Sequence, residues 1–329
     1  MNTNQADHIM KQILITGATG FIGKHISQQL AADGFNLLLL GRTLSALEAL
    51  KNVLLEKFPA INCTVMPCDL GDVTGNLDFS QPTDRVDNIV HCASMVPGAV
   101  TGMSFDSADI KSISSNITLG LRKLCDRCPN LNQLIHMSSA SVYDQHTPSP
   151  ILENSQKIQA DTGYAASKYQ TERECTNIAE EMNCDLTILR PCQIYGPGEP
   201  HGRAVTKMIK TAIDGGTITL NNAGLDIRDL VFVNDIATVT SLALKEKIRG
   251  AINIGSGCGY SMLEVVTALQ TASPRRCTVI TEPKSREPNG AFLSTALLRE
   301  MFPKLSLTPL AQGLEKCFKH VTEIMSHAA

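Results

Sequence analysis

Gly17, Gly20 and Gly23 stand at equal spacing in KQILITGATGFIGKHISQQL, directly after an apolar run and directly before a segment of helical composition. Glycine at the first two places permits a tight turn and lets backbone lie against a bulky anion, while the third lets the helix pack close to the strand. The helix N-terminus that follows offers unpaired N–H groups and a partial positive charge. Strand, glycine turn and helix in that order make a cradle for the pyrophosphate of a dinucleotide. Thr19, Phe21 and Ile22 lie inside the same loop and are counted with the glycines as cofactor-binding candidates.

Short apolar runs recur through the first two thirds of the chain: QILITG (12–17), NLLLLG (36–41), CTVMPCDL (63–70), NIVHCAS (88–94), LIHMSS (134–139) and DLTILRP (185–191). Near-continuous apolar strands separated by helix-length segments point to a parallel sheet buried on both faces. The expected fold class is α/β, a Rossmann-type doubly wound parallel sheet with a smaller C-terminal substrate-binding lobe. The rhythm changes after residue 191, where PCQIYGPGEPHGR is rich in Gly and Pro. Residues 11–191 are therefore assigned to the nucleotide-binding domain and 192–227 and 255–329 to the lobe. RDLVFVNDIATVTSLAL reads as a strand entering a helix, so 228–254 is expected to return to the first domain. The polar first ten residues read as a flexible N-terminus without the marks of a signal peptide.

The end of the second strand bears on which dinucleotide binds. An acidic residue there would serve a ribose 2′-hydroxyl, but the chain has Arg42, which can pair with a 2′-phosphate that a carboxylate would repel. NADP(H) is favoured, with NAD as the alternative. Asp69 and Leu70, after the third strand, are candidates near the adenine, although Asp69 reads equally as a turn residue.

YAASK places Tyr164 and Lys168 one helical turn apart on one face. A tyrosine acting as base near neutrality needs its pKa lowered by roughly 3 units, about 4 kcal/mol. A neighbouring ammonium and an oxidised nicotinamide both stabilise phenolate, so Lys168 fits that role. Upstream, HMSSASVYD follows a strand, and the Ser139 hydroxyl can hold a substrate oxygen while Tyr164 moves its proton.

Composition narrows the alternatives. Residues 29 basic and 32 acidic in number give a net charge of -3 without a basic run, which argues against a nucleic-acid partner. No stretch approaches the roughly 18–20 apolar residues of a membrane span. Eleven scattered cysteines, an odd number, read as reduced thiols of a cytoplasmic protein. Cys125 and Cys128 have CxxC spacing, but no second pair or His cluster completes a ligand set, so no metal is expected. His91 and His136 lie in apolar strand contexts and read as structural.

With these motifs in place, the sequence resembles the extended short-chain dehydrogenases/reductases of the NAD(P)-dependent epimerase/dehydratase group. The resemblance runs from TGATGFIG through HCAS (91–94), Asn116, SSASVY, YAASK, RPCQIYGPG (190–198) and RDLVFVND (228–235) to NIGSG (253–257). It implies Ser139, Tyr164 and Lys168 as the catalytic triad, with Asn116 supporting it and Lys168 also bonding the nicotinamide ribose. It further implies Cys92, Ala93, Ser94 and Pro191 beside the cofactor. Members with these later motifs mostly act on nucleotide-linked sugars, and the resemblance places Gln193, Arg228 and Arg286 toward such a substrate, the arginines on its diphosphate. It also implies a homodimer through paired helices, one of them carrying Tyr164 and Lys168.

The departures are informative as well. Ala140 and Ser141 occupy the places of an Asp-Glu pair used by dehydratases, which argues against elimination of water. Gln193 replaces a frequent Asn, Ser294 a frequent Asp, and Asp144 follows Tyr143 where Gly is usual. The expected activity is thus hydride transfer at a secondary alcohol or ketone of a nucleotide sugar, by an epimerase or a ketoreductase. Reduction of a non-sugar ketone and cofactor-dependent regulation without turnover are the alternatives; Arg228 argues against the first, and the presence of both Tyr164 and Lys168 against the second.

Overall fold

The computed structural model describes residues 12–72, 77, 79–96, 104, 109–144, 146–157, 163–200, 203–273 and 277–328. The flexible N-terminus expected over 1–10 lies outside them. The chain opens with β1 (Gln12–Thr16), α1 (Phe21–Ala32), β2 (Asn36–Gly41), α2 (Leu44–Lys57), β3 (Cys63–Pro67) and β4 (Val86–His91). Next come α3 (Asp109–Cys125), β5 (Gln133–Met137), α4 (Gly163–Met182) and β6 (Asp185–Pro191). The remainder holds β7 (Gln193–Tyr195), α5 (Ala204–Ile213), β8 (Thr217–Leu220), β9 (Ile227–Arg228), β10 (Leu230–Phe232) and α6 (Val233–Lys245). It ends with β11 (Gly250–Ile254), β12 (Tyr260–Ser261), α7 (Met262–Ala272), β13 (Thr278–Thr281), α8 (Ala296–Met301) and α9 (Leu310–Ala328).

Seven parallel strands form the central sheet in the order β11-β6-β5-β4-β1-β2-β3. Alternate residues of each strand bury on opposite faces, which is why the runs are apolar throughout. Ile13, Ile15, Leu37 and Leu39 pack with Ile26 and Leu30 of α1, Leu47 of α2 and Ile236 of α6. Leu14, Leu38, Ile89 and Leu134 pack on the other face with Leu121 of α3 and Cys175 and Ile178 of α4. Helix α1 shows the cause in its sequence, burying Gly23, Ile26, Ser27, Leu30 and Ala31, one stripe at helical spacing.

Beyond β6 the chain builds a second core from Tyr195, Val205, Ile209, Leu230, Phe232, Val265 and Leu314. It returns once to the sheet, where β11 pairs with β6. The strand order reverses between β1 and β4, so a crevice opens at the carboxyl ends of those strands, the usual ligand position in an open α/β sheet. No helix among the described residues is long and apolar enough to cross a membrane.

Candidate active site

The crevice is a cavity of about 810 Å³ whose wall joins the glycine loop to the second lobe. At its floor β1 ends at Thr16 and the chain turns through Gly17, whose φ of 65° belongs to the left-handed region. A Cβ there would lie 2.8 Å from the Ala93 amide nitrogen, and a Cβ on Gly23 would overlap the Gly17 carbonyl oxygen. Gly20 is the N-cap of α1, with neither a side-chain cap nor an acidic residue in the first turn. Its unsatisfied amides, unshielded by any carboxylate, suit a phosphate, and Gly17, Gly20, Phe21, Ile22 and Gly23 line the cavity. The residues present therefore fit the pyrophosphate of a dinucleotide.

Other cofactor candidates distribute around this floor. Cys92, Ser94 and Pro191 line the cavity, and burial pushes the Cys92 thiol up to about 12. Ala93 donates its amide to Thr16 Oγ1 at 3.2 Å, and Thr19 packs against Gly41. Arg42, exposed after β2, and Asp69 and Leu70, after β3, lie beyond the lined wall. Asp69 Oδ1 accepts from the Gly71 amide at 3.0 Å, an Asx turn, and Leu70 is buried with its carbonyl against Gly120.

Ser139 follows β5 as the N-cap of a short 3₁₀ turn, Ala140–Val142, and its Oγ accepts from Ser141 N at 3.2 Å and Ser141 Oγ at 3.0 Å. Tyr164 stands in the first turn of α4 and is hydrogen-bonded to Ser139. One turn on, Lys168 is 5% exposed; its Nζ donates to the Met137 carbonyl at 2.9 Å and lies 5.9 Å from the Tyr164 ring centroid. Burial lowers the Lys168 ammonium to about 8. Burial also raises the Tyr164 phenol above its ordinary value, against the Ser139 hydrogen bond and the charge of Arg203. The lowered phenol expected from the Tyr-x-x-x-Lys spacing is thus not a property of the protein side chains alone. Desolvation outweighs the opposing groups, and the ammonium is directed to a carbonyl.

The structure brings Ser139, Tyr164, Lys168, Gln193 and Arg228 to one cavity wall. Arg228 donates Nη1 to the Ile227 carbonyl at 2.6 Å. Two candidates stand apart from that wall. Asn116 is half-buried on α3, and Arg286 is engaged with Asp226, Nη1–Oδ1 2.8 Å and Nη2–Oδ2 2.5 Å. That guanidinium holds the Asp226 carboxyl well below the usual carboxylate range. Ala140 and Ser141 line the cavity where a dehydratase pair would stand. Arg203, Tyr143, Asp144 and Asp229, which also line it, were not among the sequence's site candidates; the signals nearest them were the Gly- and Pro-rich stretch ending at Arg203, the SSASVYD segment and RDLVFVND.

Elsewhere, His91 and His136 face each other across β4 and β5 with ring centroids 5.5 Å apart, both 1% exposed. Cys125 and Cys128 sit in the core, and burial pushes both thiols up. None of the eleven cysteines is part of a disulfide.

Residues 13–255 match the NAD dependent epimerase/dehydratase family. The dTDP-4-dehydro-6-deoxy-D-allose reductase of Streptomyces bikiniensis is 26% identical, covering 95% of this chain and 97% of its own. The UDP-glucose 4-epimerase of Mycolicibacterium smegmatis is 29% identical over 92% of this chain and 96% of its own. Among solved structures, UDP-glucose-4-epimerase from Stenotrophomonas maltophila, with bound NAD and formylated UDP-arabinopyranose, superposes with a TM-score of 0.80. It is 19% identical and covers 97% of this chain and 100% of that one. With a family match spanning the glycine loop, the Ser-Tyr-Lys group and the return strand β11, this chain belongs to the NAD dependent epimerase/dehydratase family.

Proposed function

We propose that the protein transfers hydride at a secondary alcohol or ketone of a nucleotide-linked sugar, as a 4-epimerase or as a ketoreductase. The observation that carries this reading is the single cavity onto which the uncapped α1 N-terminus, Ser139, Tyr164, Lys168 and Arg228 all open. A bound nicotinamide supplies the hydride acceptor and donor. Ser139 holds the reacting oxygen, Tyr164 takes or returns its proton, and Lys168 steadies the charge beside them. Arg228 suits a diphosphate because its planar fork meets phosphate oxygens bidentately. Relatives named as a reductase and as an epimerase support the two variants of the reaction.

Of the two dinucleotides, the chain's own residues favour NADP. Arg42 is exposed at the end of β2, and no carboxylate neighbours it in sequence to repel a 2′-phosphate; the solved relative carries NAD, the alternative. A cytoplasmic location belongs to the same proposal, supported by eleven cysteines of which none is in a disulfide. So does a homodimer through α3 and α4, whose shared groove presents Ser115, Leu119, Arg122, Gln170 and Glu174.

The test is to identify any dinucleotide released on denaturation, then offer UDP- and dTDP-hexoses and their 4-keto forms. Interconversion of 4-epimers without net cofactor change marks an epimerase. Stoichiometric loss of NADPH or NADH with a 4-keto sugar marks a reductase. Turnover of neither class by folded, dinucleotide-binding protein would sink the proposal.

A further inference from the structure

Two buried aspartates, Asp226 and Asp229, flank β9, and both hold the segment 286–293, whose Gly290, Ala291 and Leu293 line the cavity with Ile227 and Arg228. At the far end of the segment Asp229 Oδ2 accepts from the Leu293 amide at 2.9 Å, while its Oδ1 accepts from the amide and hydroxyl of Ser256 at 2.8 and 2.6 Å. At the near end Asp226 meets the Arg286 guanidinium with both oxygens, Nη1–Oδ1 2.8 Å and Nη2–Oδ2 2.5 Å. Asp226 Oδ1 also accepts from the Asn289 amide and from Asn222 Nδ2, each at 3.1 Å. Asn222 Oδ1 in turn accepts from the amides of Ser285 and Arg286 at 3.0 and 3.2 Å. Glu287 turns its carboxylate to Lys284 Nζ, 2.8 Å away, and gives Arg286 only its carbonyl, at 3.1 Å. A lone exposed ion pair contributes little, but a two-pronged pair inside such a network fixes both partners.

The fastened segment rests on the backbone of β9. The Ile227 amide donates to the Asn289 carbonyl at 2.8 Å. A Cβ on Gly290 would lie 2.1 Å from the Ile227 carbonyl oxygen, so the segment sits directly on that carbonyl. The same oxygen accepts from Arg228 Nη1 at 2.6 Å. One residue, Ile227, thus joins the segment held by Arg286 to the guanidinium that faces the substrate.

We propose that Arg286 is a positioning residue for the substrate: paired with Asp226, it seats the 286–293 segment on Ile227, so fixing the direction of the Arg228 guanidinium, and does not itself take up the diphosphate. The inference rests on the nucleotide-sugar reading where it makes Arg228 the diphosphate ligand; the fastening itself is read without any nucleotide. Hydrogen exchange of residues 286–291, followed by mass spectrometry, is compared in the native protein, Arg286→Gln, Asp226→Asn and the double variant. UDP is then titrated calorimetrically into each protein in the presence of dinucleotide. Each single variant should exchange roughly three- to tenfold faster and bind UDP more weakly by a similar factor, with the double variant no worse than either. Dinucleotide affinity should stay at its native value, which a general loss of structure would not allow. Should Asp226→Asn fold poorly, Gly290→Ala lifts the segment with both charges in place and should reproduce the loss. Native exchange in Arg286→Gln would overturn the proposal. So would an Asp226→Asn protein that binds UDP as well as the native one while Arg286→Gln does not, since Arg286 would then be a diphosphate ligand. Native protein that binds no UDP would count against the nucleotide-sugar reading, and the exchange comparison alone then decides the fastening.

Discussion

Glu172 clasps Arg190 through both carboxylate oxygens, Arg190 Nε to Oε1 at 2.9 Å and Nη2 to Oε2 at 2.7 Å, with side chains only 4% and 7% exposed. Glu172 lies one turn beyond Lys168 on α4, and its Oε1 also accepts from Ser138 Oγ at 2.6 Å. Arg190 reaches Tyr143 Oη at 3.1 Å, and Tyr143 donates to Asn253 Oδ1 at 2.5 Å. One buried network thus ties α4, the Ser138–Tyr143 turn, β6 and β11 together around the reacting groups. Breaking such a pair from one side leaves an uncompensated buried charge. Glu172→Ala should lower stability by about 3–5 kcal/mol in urea denaturation, and pairing Glu172→Leu with Arg190→Met should recover most of that loss.

Tyr164→Phe removes the only atom assigned to move the substrate proton while leaving the ring in place. Turnover should fall by roughly 10²–10⁴-fold. Dinucleotide affinity, measured by fluorescence titration, should stay within a few-fold of native.

Gly23→Ala forces a Cβ into the Gly17 carbonyl, and Gly17→Ala adds a Cβ 2.8 Å from Ala93 N at a φ of 65°. Both should weaken dinucleotide binding and lower the thermal midpoint together, because strand, turn and helix cannot separate without opening the cradle. An alanine at Gly34, where a Cβ meets nothing within 4 Å but φ is 84°, should cost stability without affecting binding.

Arg42→Asp exchanges a cation for a carboxylate at the end of β2. Loss of a charged hydrogen bond, worth roughly 1.5–3 kcal/mol, should cut NADPH affinity by about ten- to a hundredfold and reverse the preference toward NADH. Calorimetric titration of both dinucleotides against both proteins reads this directly.

Burial lowers His91 to about 3 and His136 well below its usual 6.5, with the Lys168 charge acting in the same direction. Below pH 6.5 the unfolded chain binds protons that these folded rings refuse, so stability is fully present above 6.5 and is lost as pH falls toward 3. Neither nitrogen of His136 has a hydrogen-bond partner among the described residues. His136→Leu should therefore flatten the acid side of the stability curve, read as urea midpoints on either side of pH 6.5, at little cost above it.

The residues that organise the first domain were legible because their signals are local. Buried parallel strands need continuous apolar runs, and each of the six runs read from the sequence became a strand of the sheet within a few residues at its ends. Helical periodicity alone put Tyr164 and Lys168 on one face, and strand–glycine–helix order alone placed the α1 cradle. The short pairs β7–β10, β9–β12 and β8–β13 gave no such signal as pairs, since each joins segments that lie far apart in the chain. The same limit governs the side chains. Nothing local tells that Arg286 is taken by Asp226, that Asn116 stands outside the cavity wall, or that Arg203 lines the same cavity as Tyr164. Sequence by itself determined which elements form and which chemical groups are present. Tertiary structure decided which charges meet and how far water is excluded from them, because Coulomb energy and desolvation depend on distances and burial that only the assembled chain defines.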